Sequence, residues 1–219
     1  MGGGPDAARE KAMTIGIIGA GRMGETLARH FARSGRKVAI SNSRGPHTLS
    51  ALAGEIGPNV SATTPDQAAL LADVVVLALP WRKIQQLPTS ELFAGKIVID
   101  ATNPYGDDGQ LMDLEGRTSS MIVASRLPGA RIVKAFNTIH WETLAKGSCR
   151  DPDERLVVFV ASDDVRAKSV VSQLIEDIGF APVDTGSLRD GGRRQQPGTE
   201  LYNRPITIRE ARQLLAGTC

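Results

Sequence analysis

The chain predicts an α/β fold, a doubly wound and mostly parallel sheet in one domain, on three observations. From Thr14 onward, short β-branched runs alternate with amphipathic helical stretches. The first of these runs ends in a glycine-rich turn, Gly19-Ala20-Gly21-Arg22-Met23-Gly24, that leads into a helical pattern. The apolar runs, the longest from Val74 to Pro80, have the length and continuity of strands buried on both faces.

The elements follow in order. Residues 14–19 read as the first strand and 23–34 as a helix stopped by Gly35. A second strand covers 37–41. Helix 46–56 opens on Pro46, whose missing N–H costs nothing in a first turn, and ends at Gly57. Residues 60–62 form a short strand, and Thr64-Pro65-Asp66-Gln67 opens the next helix. Further strands are expected at 73–79, 96–101, 131–136, 156–161 and 181–183. Between the last two, residues 164–178 place Val165, Val170, Val171, Leu174, Ile175 and Ile178 on a helical stripe ended by Gly179. Residues 191–198 read as a loop and 208–216 as a short terminal helix. The domain is thus expected over 13–188, with 189–219 covering its cleft or meeting a second subunit. Residues 1–12, Gly-rich and polar, read as a flexible extension outside the fold.

Composition excludes several classes of function. The 219 residues suffice for one buried core, and 41% hydrophobic with 23% charged residues is a globular balance. No stretch approaches twenty apolar residues, which argues against a membrane span. Lys plus Arg number 26 against 24 Asp plus Glu, a net +2, and aromatics are 4%; neither favours nucleic acid. Cys149 and Cys219 have no metal-ligand spacing and make no disulfide framework. They read as free thiols in a reducing compartment, so the protein is expected in the cytoplasm. Asn59-Val60-Ser61 matches a glycosylation sequon but carries no weight without a secretion signal.

The glycine turn carries the chemistry. In G-x-G-x-x-G at a strand–helix junction, Gly19 permits the tight turn, Gly21 lets backbone approach a pyrophosphate, and Gly24 lets helix and strand pack closely. Ala20, Arg22 and Met23 complete the loop, and the helix N-terminus offers amides and partial positive charge to phosphates. The end of the second strand selects the dinucleotide. An NAD site places a carboxylate there, whereas this chain has Ser41-Asn42-Ser43-Arg44 and no acid until Glu55. Asn42, Ser43 and Arg44 suit a 2′-phosphate through charge-assisted hydrogen bonds, so NADP(H) is expected rather than NAD. Three later strand ends should line the nicotinamide half of the crevice: Ala78-Leu79-Pro80-Trp81, Asp100-Ala101-Thr102-Asn103-Pro104-Tyr105 and Ala135-Phe136-Asn137-Thr138.

These motifs, in this order, resemble the NADPH-dependent coenzyme F420 reductase family, and the Asp-Ala-Thr-Asn-Pro segment points to a bacterial branch. The same dinucleotide module occurs in the cytosolic domain of membrane ferric reductases and in pyrroline-5-carboxylate reductases. The resemblance runs from about Met13 to about Leu188. It implies that Gly19, Gly21 and Gly24 hold the pyrophosphate and that Ser43 and Arg44 hold the 2′-phosphate. It further implies that nicotinamide and deazaflavin rings meet near Leu79, Pro80, Asn103, Pro104 and Asn137. Coenzyme F420 or a flavin is therefore the expected second cofactor, and a small-molecule hydride donor or acceptor the expected partner.

No metal cluster and no Ser-Tyr-Lys set at short-chain dehydrogenase spacing is visible. Hydride transfer between stacked rings needs alignment and water exclusion more than a side-chain acid. His140 is a candidate proton donor near the crevice, and Tyr105 a similar one; Asp100 is expected to order the turn after its strand. The chain ends before the helical substrate domain of pyrroline-5-carboxylate reductases would begin, so the acceptor is expected in the cleft, closed by a second copy in a homodimer. Two competing readings are a reductase of a small C=N or C=O substrate completed at that interface, and a non-catalytic NADP-binding redox sensor.

Overall fold

A computed structural model describes residues 13–147 and 151–216. The expected extension at 1–12 and both cysteines, Cys149 and Cys219, lie outside the described residues. The elements run β1 (Thr14–Ile18), α1 (Arg22–Arg33), β2 (Lys37–Ser41), α2 (Ser50–Ile56), β3 (Val60–Thr63), α3 (Pro65–Leu71), β4 (Val74–Leu77) and β5 (Ile97–Asp100). They continue α4 (Ser119–Arg126), β6 (Arg131–Lys134), α5 (Trp141–Lys146), β7 (Val157–Ala161), α6 (Val165–Asp177), β8 (Ala181–Gly186), α7 (Asp190–Arg194) and α8 (Ile208–Ala216). Among the described residues, no helix is long and apolar enough to cross a membrane.

One sheet collects all eight strands in the order β3-β2-β1-β4-β5-β6-β7-β8. The central strands are mostly apolar because each face is covered. In β4, Val74 and Val76 join a core with Leu27 and Phe31 of α1, while Val75 and Leu77 join a second core with Ala68 and Ala69 of α3. Strand β5 divides the same way, Ile97 and Ile99 from Val98. Helix α1 buries Gly24, Leu27, Ala28 and Phe31, one stripe at helical spacing, against the first core. Helix α3 starts with a capping box: the Thr64 hydroxyl accepts from Gln67 N, and the Gln67 side chain accepts from Thr64 N.

Both α6 and α7 differ from the sequence expectations. Val165, counted on the α6 stripe, is 79% exposed because α6 begins there, capped by Asp164, before it reaches the sheet. The run read as a loop from Gly191 instead begins inside α7, where Gly191 lies so close to β8 that a Cβ would stand 2.6 Å from the Thr185 carbonyl. The sheet is mostly parallel, as expected; the exception is β7, which pairs with β6 antiparallel through Lys134 and Ala161, the last residue of each. The strands meet only at their carboxyl tips, so β7 and its parallel partner β8 rise past the carboxyl edge of the central sheet.

The residues after 188 fold back onto this raised part. Leu201, Ile206 and Ala211 form a third apolar cluster with Val157, Phe159 and Ala181. Ile206 O accepts from Val157 N, and Asn203 N donates to Thr138 O at 2.8 Å.

A candidate dinucleotide cleft at the carboxyl edge

Strand order turns back between β1 and β4, so the loops after these neighbouring strands diverge and leave a crevice. The β1–α1 loop is fixed from several sides. Gly19 N donates to Ser41 O at 3.0 Å, and φ at Gly19 is +112°, a region that L side chains rarely adopt. A Cβ there would lie 2.2 Å from Ala78 O, and one at Gly24 would lie 1.8 Å from Gly19 O. Gly24 thus packs α1 onto its own loop. Gly21 is different: a Cβ would meet nothing within 4 Å. It is the N-cap of α1 with no side-chain cap, so the first-turn amides face an open cradle beside the glycine backbone.

On one side of this loop lies a cavity of about 340 Å³, lined by Gly19, Ala20 and Gly21, by Asn42, Ser43 and Arg44, and by residues that follow β4, including Leu79, Pro80, Arg82 and Lys83. The Asn42 carboxamide shapes the β2 turn. Its Oδ1 accepts from Arg44 N at 2.9 Å, and its Nδ2 donates to Thr48 Oγ1 at 2.9 Å. The lining has three cations and no carboxylate. Such a hollow could hold a phosphomonoester and would repel it if an acid stood in place of Ser43.

A second cavity, about 410 Å³, shares Gly21, Ala78, Leu79, Pro80 and Arg82 with the first and continues over Met23, Trp81, Thr102, Asn103 and Tyr105. Its polar wall is an amide pair. Asn103 Nδ2 donates to Asn137 O at 3.0 Å, and Asn137 Nδ2 donates to Asn103 Oδ1 at 3.0 Å and to Gln195 O at 2.7 Å. Phe136, just before Asn137, has φ +64° while its buried ring packs edge-on against Phe31. That backbone strain turns Asn137 toward Asn103. Tyr202 reaches the same point from the far end of the chain, its hydroxyl 3.4 Å from Asn103 Nδ2 and 3.3 Å from the Tyr105 hydroxyl. Burial, reinforced by Tyr105, pushes the Tyr202 phenol well above the usual tyrosine range, which keeps it protonated.

Beneath this wall, Lys134 and Asp100 are both fully buried. Lys134 Nζ donates to Asp100 Oδ2 and Ser119 Oγ at 3.0 Å each and to the Thr102 carbonyl. Asp100 accepts from Thr102 N at 2.9 Å, from its hydroxyl at 2.6 Å and from Ser120 Oγ at 2.7 Å. Burial pulls the Lys134 ammonium below the usual lysine range, and Asp100 opposes that shift. The network pins the turn that carries Asn103.

The crevice therefore brings together Gly19 to Met23, Asn42, Ser43, Arg44, Leu79, Pro80 and Asn103. Gly24 and Pro104 are buried behind it, and Asn137 joins through Asn103. His140 lines neither cavity; its ring caps α5 by accepting from Glu142 N, and 47% of the side chain is exposed. The sequence reading missed Arg82, Lys83, Gln195 and Tyr202. A basic pair just past Pro80, in the segment that follows a strand next to the switch point, was a usable signal for the first two. Nothing local marks the other two.

The family described as NADP oxidoreductase, coenzyme F420-dependent, matches residues 14–104. The F420-dependent NADP reductase of Methanothermobacter thermautotrophicus is 31% identical over 195 residues, 81% of this chain and 83% of that protein. The metalloreductase STEAP3 of Rattus norvegicus is 31% identical over 82% of this chain, which spans only 35% of that protein. Among solved structures, a hypothetical protein of Sinorhizobium meliloti superposes with a TM-score of 0.79 at 37% identity, covering 90% of this chain and 95% of its own.

Proposed function

The chain belongs to the family of coenzyme F420-dependent NADP oxidoreductases, and from that premise we propose that it transfers hydride between NADP(H) and a flat redox carrier in the same crevice, with coenzyme F420 the first candidate. The observation that carries this reading is a pair of adjoining cavities around the glycine loop with no carboxylate in either lining. One holds Arg44, Arg82 and Lys83, and the other adds the Asn103 amide and the Tyr105 phenol to Arg22 and Arg82.

The residues present fit an NADP dinucleotide. The open cradle at Gly21 and the uncapped α1 N-terminus would hold the pyrophosphate, and Asn42, Ser43 and Arg44 the 2′-phosphate. Leu79 and Pro80 offer an apolar face to a ring and keep water from it. Asn103, held by Asn137, would orient the carboxamide end. When bound, NADPH supplies the hydride. The protein contributes alignment and desolvation, and the reading assigns no step to His140. The carrier would approach from the side of Tyr105 and Trp81, where the second cavity opens into a further hollow of about 610 Å³.

Purified protein with NADPH should reduce coenzyme F420, followed by the loss of deazaflavin absorbance, and should leave FMN and FAD largely untouched. Tight NADPH binding with no turnover of any of the three would remove the carrier from this reading and leave the dinucleotide. Arg44→Ala is expected to weaken NADPH by roughly 10- to 100-fold, the loss of a charged hydrogen bond, and to leave NADH within about twofold. Equal losses for both nucleotides, measured by titration calorimetry, would remove the 2′-phosphate role.

A further inference from the structure

We propose that Lys83 is a second cation of the 2′-phosphate subsite, facing it from the wall opposite Arg44 and setting the preference for NADPH over NADH. The proposal rests on the reading of the crevice as an NADP site. Lys83 lies in the 3-10 segment Trp81–Gln86, which leaves the sheet after β4, whereas Arg44 follows β2. Strand β1 lies between those two strands, so the two residues line the first cavity from opposite flanks of the glycine loop.

Charge accounting singles out Lys83. Of the three cations in the lining, Arg82 is neutralised by Asp107 at 2.9 Å. Among the described residues, Lys83 donates to the neutral Gln86 Oε1 at 2.9 Å and, like Arg44, forms no ion pair. With no carboxylate in the lining, two positive charges are left facing one hollow of about 340 Å³. Like charges in a partly desolvated hollow repel, and an anion between them removes that cost. A phosphomonoester carries nearly two negative charges at neutral pH, whereas the 2′-hydroxyl of NAD carries none. Two facing cations therefore match the one group by which the nucleotides differ. If Lys83 only rested its stem on the surface beside Gln86, its loss would touch both nucleotides alike or neither.

The test uses the full chain and two small probes, adenosine 2′,5′-bisphosphate and 5′-AMP, titrated against the native protein, Lys83→Gln, Lys83→Arg and Arg44→Ala. Thermal unfolding of each variant reports whether it is folded. Lys83→Gln should weaken the bisphosphate about tenfold and leave 5′-AMP within about twofold, and Lys83→Arg should restore most of the loss. An unchanged affinity for the bisphosphate in Lys83→Gln, or a parallel loss for both probes, overturns the role of Lys83. If Arg44→Ala still discriminates against the bisphosphate in that case, the NADP reading survives. A native protein that binds the two probes equally well overturns both.

Discussion

Gly21→Ala keeps the thermal stability of the native chain and loses the dinucleotide, whereas Gly24→Ala loses both. The φ of Gly21 is −79°, open to any residue, and an added methyl would meet no atom within 4 Å. Its cost to folding should stay within about 0.5 kcal/mol, as for an ordinary surface change. The methyl would instead occupy the space into which the pyrophosphate must come, so NADPH should weaken by at least about tenfold, or 1.4 kcal/mol. At Gly24 the same methyl would stand 1.8 Å from the Gly19 carbonyl oxygen, a backbone atom that cannot swing aside, with Gly19 itself held against Ala78. The loop has to move, at a cost of about 1–3 kcal/mol in stability, and the cradle moves with it. Melting curves beside calorimetric titrations separate the two effects. A Gly21→Ala protein that binds NADPH normally would mean that the phosphates do not lie on this loop.

The second large effect is expected beneath the other end of the crevice. Lys134→Met leaves Asp100 buried with only neutral donors from Thr102 and Ser120. Breaking a buried ion pair from one side costs about 3–5 kcal/mol, because the remaining charge loses its compensation. The urea midpoint should fall accordingly with an unchanged slope, and turnover should fall further, since the Thr102 carbonyl also loses its donor just before Asn103. Pairing the change with Asp100→Leu should recover part of the stability. A loss below about 1 kcal/mol for Lys134→Met would show that the pair is not the clamp on this turn.

Much of the central fold was legible because its elements obey local rules. β4 is a continuous apolar run, β1, β2 and β5 are apolar apart from polar end residues, and α1 and α6 are followed by glycines after helical stripes. The glycine loop and the β2 turn sit in consecutive sequence, so their side of the crevice could be read directly. The other side could not. Helix α4 has little amphipathic pattern and starts from the Thr118 cap, and α7 contains two glycines that propensity alone keeps out of helices. The α7 glycines are explained by the close approach to Thr185 and Thr118, a tertiary fact. The Asn137–Gln195 bond joins residues 58 positions apart, and Asn103–Tyr202 joins residues 99 apart; no local period encodes either. His140 drew attention as a histidine near the crevice in sequence, but its backbone position makes it a helix cap.

The reversal at β7 has a further consequence, for the order in which the protein assembles during synthesis. Every residue of the phosphate-side cavity lies between Ile18 and Leu87, so that half can close once the first strands have left the ribosome. The back of the ring-side cavity waits for the strands raised beyond the sheet edge and for the returning chain that carries Gln195 and Tyr202. Those contacts span 58 and 99 positions and bear a larger loop-closure entropy than the glycine loop does. A growing chain would thus be able to grip the nucleotide before it could shelter a hydride, and the reactive end of the site matures last.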